Sequence, residues 1–166
     1  MKRLSTFVLA SVTLLCLGVA PSGHSVAQSG KDHVGTWTLI SSDTVQPDGT
    51  KTPTFGGKAT GVLIFGSDGR FIYLFSREDL PKFASNNRNT GTPDENTAVV
   101  KGSIATYGTY SVAGNVFSIK VENSTFPNWK GAEQKRTITV TGDDLKWSNP
   151  AGSGGGVVEI VFKRAK

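Results

Sequence analysis

The chain of 166 residues is poor in reactive sulfur and in imidazole, with one Cys, one Met and two His. The scarcity sharpens once the N-terminus is set apart. Lys2 and Arg3 precede an apolar run from Leu4 to Ala20, and Ser25-Val26-Ala27 fits the small-x-small pattern before a cleaved bond. This is the composition of a secretory signal peptide over residues 1–27. Its apolar run is short for a membrane span, so no stable span is expected after cleavage. Behind Ala27 the chain has no Cys, no Met and a single histidine, His33. Disulfides, a cysteine nucleophile, cysteine-based zinc or iron–sulfur sites and multi-histidine metal sites are thereby excluded there. A cofactor is not called for. A thiol-free chain suits an oxidising compartment, so the expected location is secreted or periplasmic.

Charge of one sign is also scarce. The remaining 139 residues carry 16 basic and 13 acidic side chains, net +3, scattered along the chain. That is too weak a basic field to argue for nucleic acid. Sustained heptads and solenoid repeats are lacking too. What is abundant is glycine, 20 residues, with 37% hydrophobic residues. One β-rich domain over residues 28–166 is the reading that fits.

Apolar and polar residues alternate with period two in several segments. Gly35, Trp37, Leu39, Ser41 and Val45 share one face, with Ser42 and Thr44 on the other. Phe117, Ile119 and Val121 form a second such set, Ile138 and Val140 a third, and Val158, Ile160, Phe162 and Arg164 a fourth. Segments 61–65 and 70–76 are apolar on both faces and need a cover. Segments 104–112 and 145–148 bring the count to eight strands. Thr92-Pro93-Asp94-Glu95 is a capping box with Pro at the first helical position, and Gly102 can stop that helix. A second helical turn is expected from Pro81 to about Asn87. These helical pieces form a short insertion between the third and fourth predicted strands, where they can supply the cover.

Loop lengths give the topology. Segments 66–69, 113–115 and 142–144 are tight hairpin turns, whereas 46–60, 77–103, 122–133 and 149–156 are long. In an up-and-down meander alternate connections fall at the same end. The fold expected is an all-β, eight-stranded antiparallel barrel, closed at one end and framed by long loops at the other. Trp37 and Arg164 then meet at the closed end, ring against guanidinium.

Gly35-Thr36-Trp37 on the first strand with Arg164 on the last resembles the calycin signature. Gly61-Val62-Leu63-Ile64-Phe65, Asp68-Gly69-Arg70, Tyr107-Gly108-Thr109-Tyr110 and above all the run from Phe126 to Arg136 (FPNWKGAEQKR) are similar to the bacterial and fungal lipocalin-like domain family. The resemblance spans nearly all of the chain behind the signal peptide. It implies a small barrel around a pocket, with no particular ligand or reaction attached.

In such a barrel Gln134 and Arg136 share the inward face of Ile138 and Val140 near the open end. Arg77 and Asn149 end inward-facing rows at the mouth, and Tyr73, Tyr107, Trp129 and Trp147 supply aromatic surface. This set suits a small hydrophobic molecule with an acidic head, the head on Arg77 or Arg136 and the tail on Phe71, Tyr73, Phe117, Ile138 and Trp147. Arg136 can instead close a loop by pairing with Glu133 or Glu122, and Arg77 can pair with Glu78 or Asp79. Inward-facing small residues such as Ser41, Gly61 and Gly108 favour a cavity. Glu133 and Tyr107 near Arg136 would support proton transfer in an isomerase or cyclase, the alternative reading. A catalytic triad would need His33, which lies at the closed end. No catalytic residue is assigned, and a binder is favoured over an enzyme or a ligand-free envelope module. The partner expected is a small molecule, with the protein a monomer or weak homo-oligomer.

Overall fold

A computed structural model describes residues 31–166. The expected signal peptide, residues 1–27, lies outside the described residues. Nine strands run in chain order: β1 (Gly35–Val45), β2 (Lys51–Pro53), β3 (Ala59–Phe65), β4 (Arg70–Arg77), β5 (Ser103–Ala113), β6 (Val116–Ser124), β7 (Glu133–Thr141), β8 (Asp144–Asn149) and β9 (Val157–Arg164). Every pairing is antiparallel, and β1 pairs with both β3 and β9, which closes the sheet. Eight strands form the barrel. The three-residue β2 hangs on the open-end half of β1 through Asp43 to Val45. It escapes a sequence reading because three residues in a long loop offer no periodicity.

The helix α1 (Pro93–Gly102) begins with the expected capping box: Thr92 and Glu95 each take the other's backbone N–H. The second helical piece differs from expectation. It is a 3₁₀ turn at Arg88–Thr90, capped by Asn87, not a helix from Pro81. Nor does the insertion cover the two-sided strands. It packs beside β5, and Ile64, Ile72 and Leu74 on the outer face of β3 and β4 stay about 38–51% exposed. Glu95 instead spends its carboxylate on the loop, accepting from the Ala84 N–H.

The closed end is sealed as the strand order requires. The Arg164 guanidinium lies 4.2 Å from the Trp37 ring centroid and donates to the Val34 and Asp32 carbonyls. Trp37 Nε1 donates to the His33 carbonyl at 2.8 Å. Gly35 has φ +129°, and a Cβ there would meet Arg164 Nη1 at 3.1 Å, so glycine lets the guanidinium settle on the strand.

From this end the barrel is packed with side chains. Trp37, Leu63, Phe65, Phe117, Ile138, Leu145 and Phe162 are at most 1% exposed. Phe65 lies 5.3 Å from Phe117 and 6.0 Å from Trp147, ring to ring, and Phe75 lies 5.6 Å from Phe162. The small residues that suggest a cavity do not leave one. A Cβ on Gly61 would meet the Leu74 carbonyl at 2.3 Å and Phe75 at 2.6 Å. A Cβ on Gly108 would meet the Lys120 carbonyl at 2.0 Å. Those glycines admit neighbouring chain. Open space begins only above Tyr73 and Trp147, toward the long loops.

Register explains the remaining difference. A bulge between Leu39 and Ser41 shifts the pairing of β1 with β9. The extra residue reverses the alternation beyond it. Ser42 is therefore buried at 6% exposure, and Ser41, expected inside, is not.

Candidate functional site

Arg136 stands on the inward side of β7, one strand alternation above Ile138 and opposite Phe117 of β6. Its side chain is 4% exposed. Neither Glu122 nor Glu133 reaches it: Glu122 pairs with Arg70 at 2.7 Å, and Glu133 is exposed on the outer face, opposite Lys120. Arg136 Nη1 donates to the Lys135 carbonyl at 3.1 Å and Nη2 to Gln134 Oε1. Nε is buried and has no hydrogen-bond partner among the described residues. Trp129, on the 3₁₀ turn Pro127–Trp129, places its ring 5.8 Å from the guanidinium. Burial pushes the Arg136 pKa down to about 10, so it remains a cation at neutral pH.

Two more orphaned donors join it. Trp147 Nε1 and Ser42 Oγ are buried and unpartnered, and both side chains line the same chamber as Arg136. The Tyr73 hydroxyl faces it too, its pKa raised chiefly by burial and held back by Thr106 and Arg136. The chamber measures about 30 Å³, room for one or two waters or one small polar group. Phe55, Phe75, Ile104, Val158 and Ile160 form its apolar sides. It opens to a vestibule of about 540 Å³ under the long loops, and the two share Thr54, Phe55, Ile104, Ser153 and Val158.

Five of the expected residues thus meet at one chamber: Arg136, Tyr73, Trp129, Trp147 and Asn149. Asn149 is buried and accepts the Ala151 N–H through Oδ1, which anchors the Gly-rich loop beside the chamber. Gln134 holds the guanidinium without lining the chamber. Arg77 lies in the vestibule, with Nε 2.5 Å from Asp79 Oδ1. Tyr107 is not brought in. It points outward at 41% exposure, next to a bulge between Tyr107 and Gly108, so it meets neither Arg136 nor Glu133. Phe71, Phe117 and Ile138, expected under a ligand tail, are sealed in the core below. Ser42, Thr54 and Phe55 are site residues that sequence reasoning missed. The bulge hides the first, and a loop without periodicity hides the others. Val158 and Ile160 did carry a signal, the inward alternation of β9.

The profile of the lipocalin-like domain matches residues 34–164. This chain belongs to the lipocalin-like domain family. No curated protein matches it. Among solved structures it is similar to a lipocalin-like protein from Bacteroides uniformis, at 17% identity over 81% of this chain and 99% of that one, with a TM-score of 0.45. An uncharacterized protein from Bacteroides eggerthii matches at 14% identity, 81% and 100% coverage and a TM-score of 0.42. A fatty acid transporter matches at 15% identity, 80% and 97% coverage and a TM-score of 0.36. Among the described residues of this lipocalin-like barrel, no helix is long and apolar enough to cross a membrane.

Proposed function

We propose that this barrel binds a small hydrophobic molecule through an anionic head, with a carboxylate held against Arg136, and that it does so in the periplasm or outside the cell after cleavage behind Ala27. The observation that carries the reading is the buried Arg136 cation without a carboxylate partner. Removing a charge from water costs several kcal/mol unless an opposite charge and hydrogen bonds compensate it. Arg136 Nε, Trp147 Nε1 and Ser42 Oγ are three donors left unmatched around one small space. A carboxylate has two oxygens and about four acceptor sites, which suits that set.

The polarity of binding follows. The core below the chamber is filled, and the chamber itself is the size of a head group. The acid therefore enters first, and the apolar body lies above it on Phe55, Ile104 and Val158. This is the reverse of a tail buried in the barrel floor.

Isothermal titration with decanoate and with decanol tests the reading. Decanoate should bind, and decanol should bind at least about tenfold more weakly, the worth of a charge-assisted hydrogen-bonded pair. An Arg136→Gln variant should lose that preference while keeping its near-UV dichroism. Equal binding of acid and alcohol, or no uptake of either, would overturn the proposal. Native mass spectrometry of protein purified gently from its own host then identifies the ligand as a retained mass.

A further inference from the structure

The vestibule has its own charge pattern. Its walls include two cations, Arg77 at the end of β4 and Lys101 in the last turn of α1, and no carboxylate. Lys101 has no ion-pair partner among the described residues. Arg77 shares one edge with Asp79, an exposed residue outside the vestibule wall. The Arg77 side chain is held in place rather than waving in solvent. It is laid across the turn that follows β2, where a Cβ on Gly57 would meet its Cδ at 3.3 Å and one on Gly56 its Nη1 at 3.9 Å. A Cβ on Gly102 would lie 3.6 Å from the Arg77 Cβ. Of these only Gly57 approaches closer than ordinary contact, so its missing side chain is what lets the arginine lie along the mouth.

Between this pair and Arg136 lies a largely apolar neck: Phe55, Ile104 and Val158 border both chamber and vestibule, with the small polar residues Thr54 and Ser153 beside them. Read inward, the walls run cationic, apolar, cationic. We infer that the ligand is anionic at both ends, a carboxylate in the chamber and a second acidic group at Arg77 and Lys101, joined by an apolar spacer. This inference rests on the proposed carboxylate site and assigns the class of ligand that site takes.

A titration of matched pairs tests it: monocarboxylates of six to twelve carbons against α,ω-dicarboxylates of the same length, on the protein behind Ala27. One diacid length should bind about fivefold tighter than its monoacid, the value of one solvent-exposed ion pair. Because that pair is exposed, the gain should shrink as salt rises from low to 0.5 M, with the monoacid affinity less affected. Lys101→Gln should reduce the gain and leave monoacid binding unchanged; this residue is exposed, so the fold is not at risk. Arg77→Gln should act in the same direction. Diacids no tighter than monoacids at any length, or a gain that survives both substitutions, would overturn the dianion and leave the carboxylate site standing. Absence of binding by both series, or binding indifferent to Arg136→Gln, would overturn both.

Discussion

A buried arginine without an acid is a cost to folding, and that cost separates its two readings. If Arg136 closed a loop as a structural element, its removal would weaken the fold. Its hydrogen bonds go instead to the neighbouring Lys135 carbonyl and to Gln134, two residues away on the same strand, and its contact with the long loop is the Trp129 ring at 5.8 Å. Such local hydrogen bonds add little tertiary constraint. Met is similar in length, carries no charge and adapts to irregular gaps. Arg136→Met should therefore leave stability unchanged or raise it, by about 1–2 kcal/mol, as expected when a buried charge is exchanged for apolar packing. Urea unfolding midpoints read the difference, with the slope serving as the check that both variants unfold alike. A loss of more than about 2 kcal/mol, the scale of a lost core contact, would mark Arg136 as structural. The residue was legible in the sequence because strand parity alone put it on the face of Ile138 and Val140. Its orphaned Nε was not legible, since that depends on where Glu122 and Glu133 go across the sheet.

At the scale of elements, alternation showed which strands exist and bulges decided where they were misread. Trp37 and Leu39 obey the pattern of β1. Beyond the bulge Ser42 takes the inward place expected of Ser41. One inserted residue has no composition signature, yet it reverses every side chain after it. The bulge between Tyr107 and Gly108 lies beside the other misread residue. Here the glycine is a packing requirement, with the Lys120 carbonyl 2.0 Å from where a Cβ would sit. The blocking atom is backbone held in the β5–β6 ladder, so it cannot swing away. Gly108→Ala should destabilise by about 2–4 kcal/mol, the upper range for a single substitution that forces backbone to move. Gly114→Ala is the comparison. Its φ of +62° is unfavourable for alanine, but nothing lies within 4 Å of the added methyl. It should cost about 1–2 kcal/mol, the strain of a left-handed residue alone. Thermal unfolding of the two variants side by side checks the order. Equal losses would mean that the β5–β6 ladder yields more readily than its register implies.

Over the whole molecule the barrel divides into a sealed end and a receiving end, and each should answer acid differently. The sealed end holds His33, packed edge-on against Phe65 and Phe117 at ring distances of 5.7 and 4.8 Å. The Tyr110 hydroxyl donates to the Gly66 carbonyl at 2.7 Å, so its one proton is used. His33 Nε2, 3.2 Å from that oxygen, is then the donor of the pair. Burial lowers the His33 pKa from its ordinary value near 6.5, and the neighbouring Asp32 offsets only part of the effect. The unfolded chain therefore binds a proton at a higher pH than the folded chain. Stability from this group is fully present above about pH 6.5 and is lost as pH falls toward the lowered folded value. Denaturant midpoints measured from pH 8 to pH 5 should decline over that window, and His33→Gln should flatten the decline. The receiving end carries no such switch, because Arg136 stays charged until about pH 10. Binding of a carboxylate by the folded protein should be level from pH 8 to pH 6. A binding curve that tracked the stability curve would mean that the ends are coupled through the aromatic stack between Phe65 and Trp147, and that the packed core transmits rather than separates.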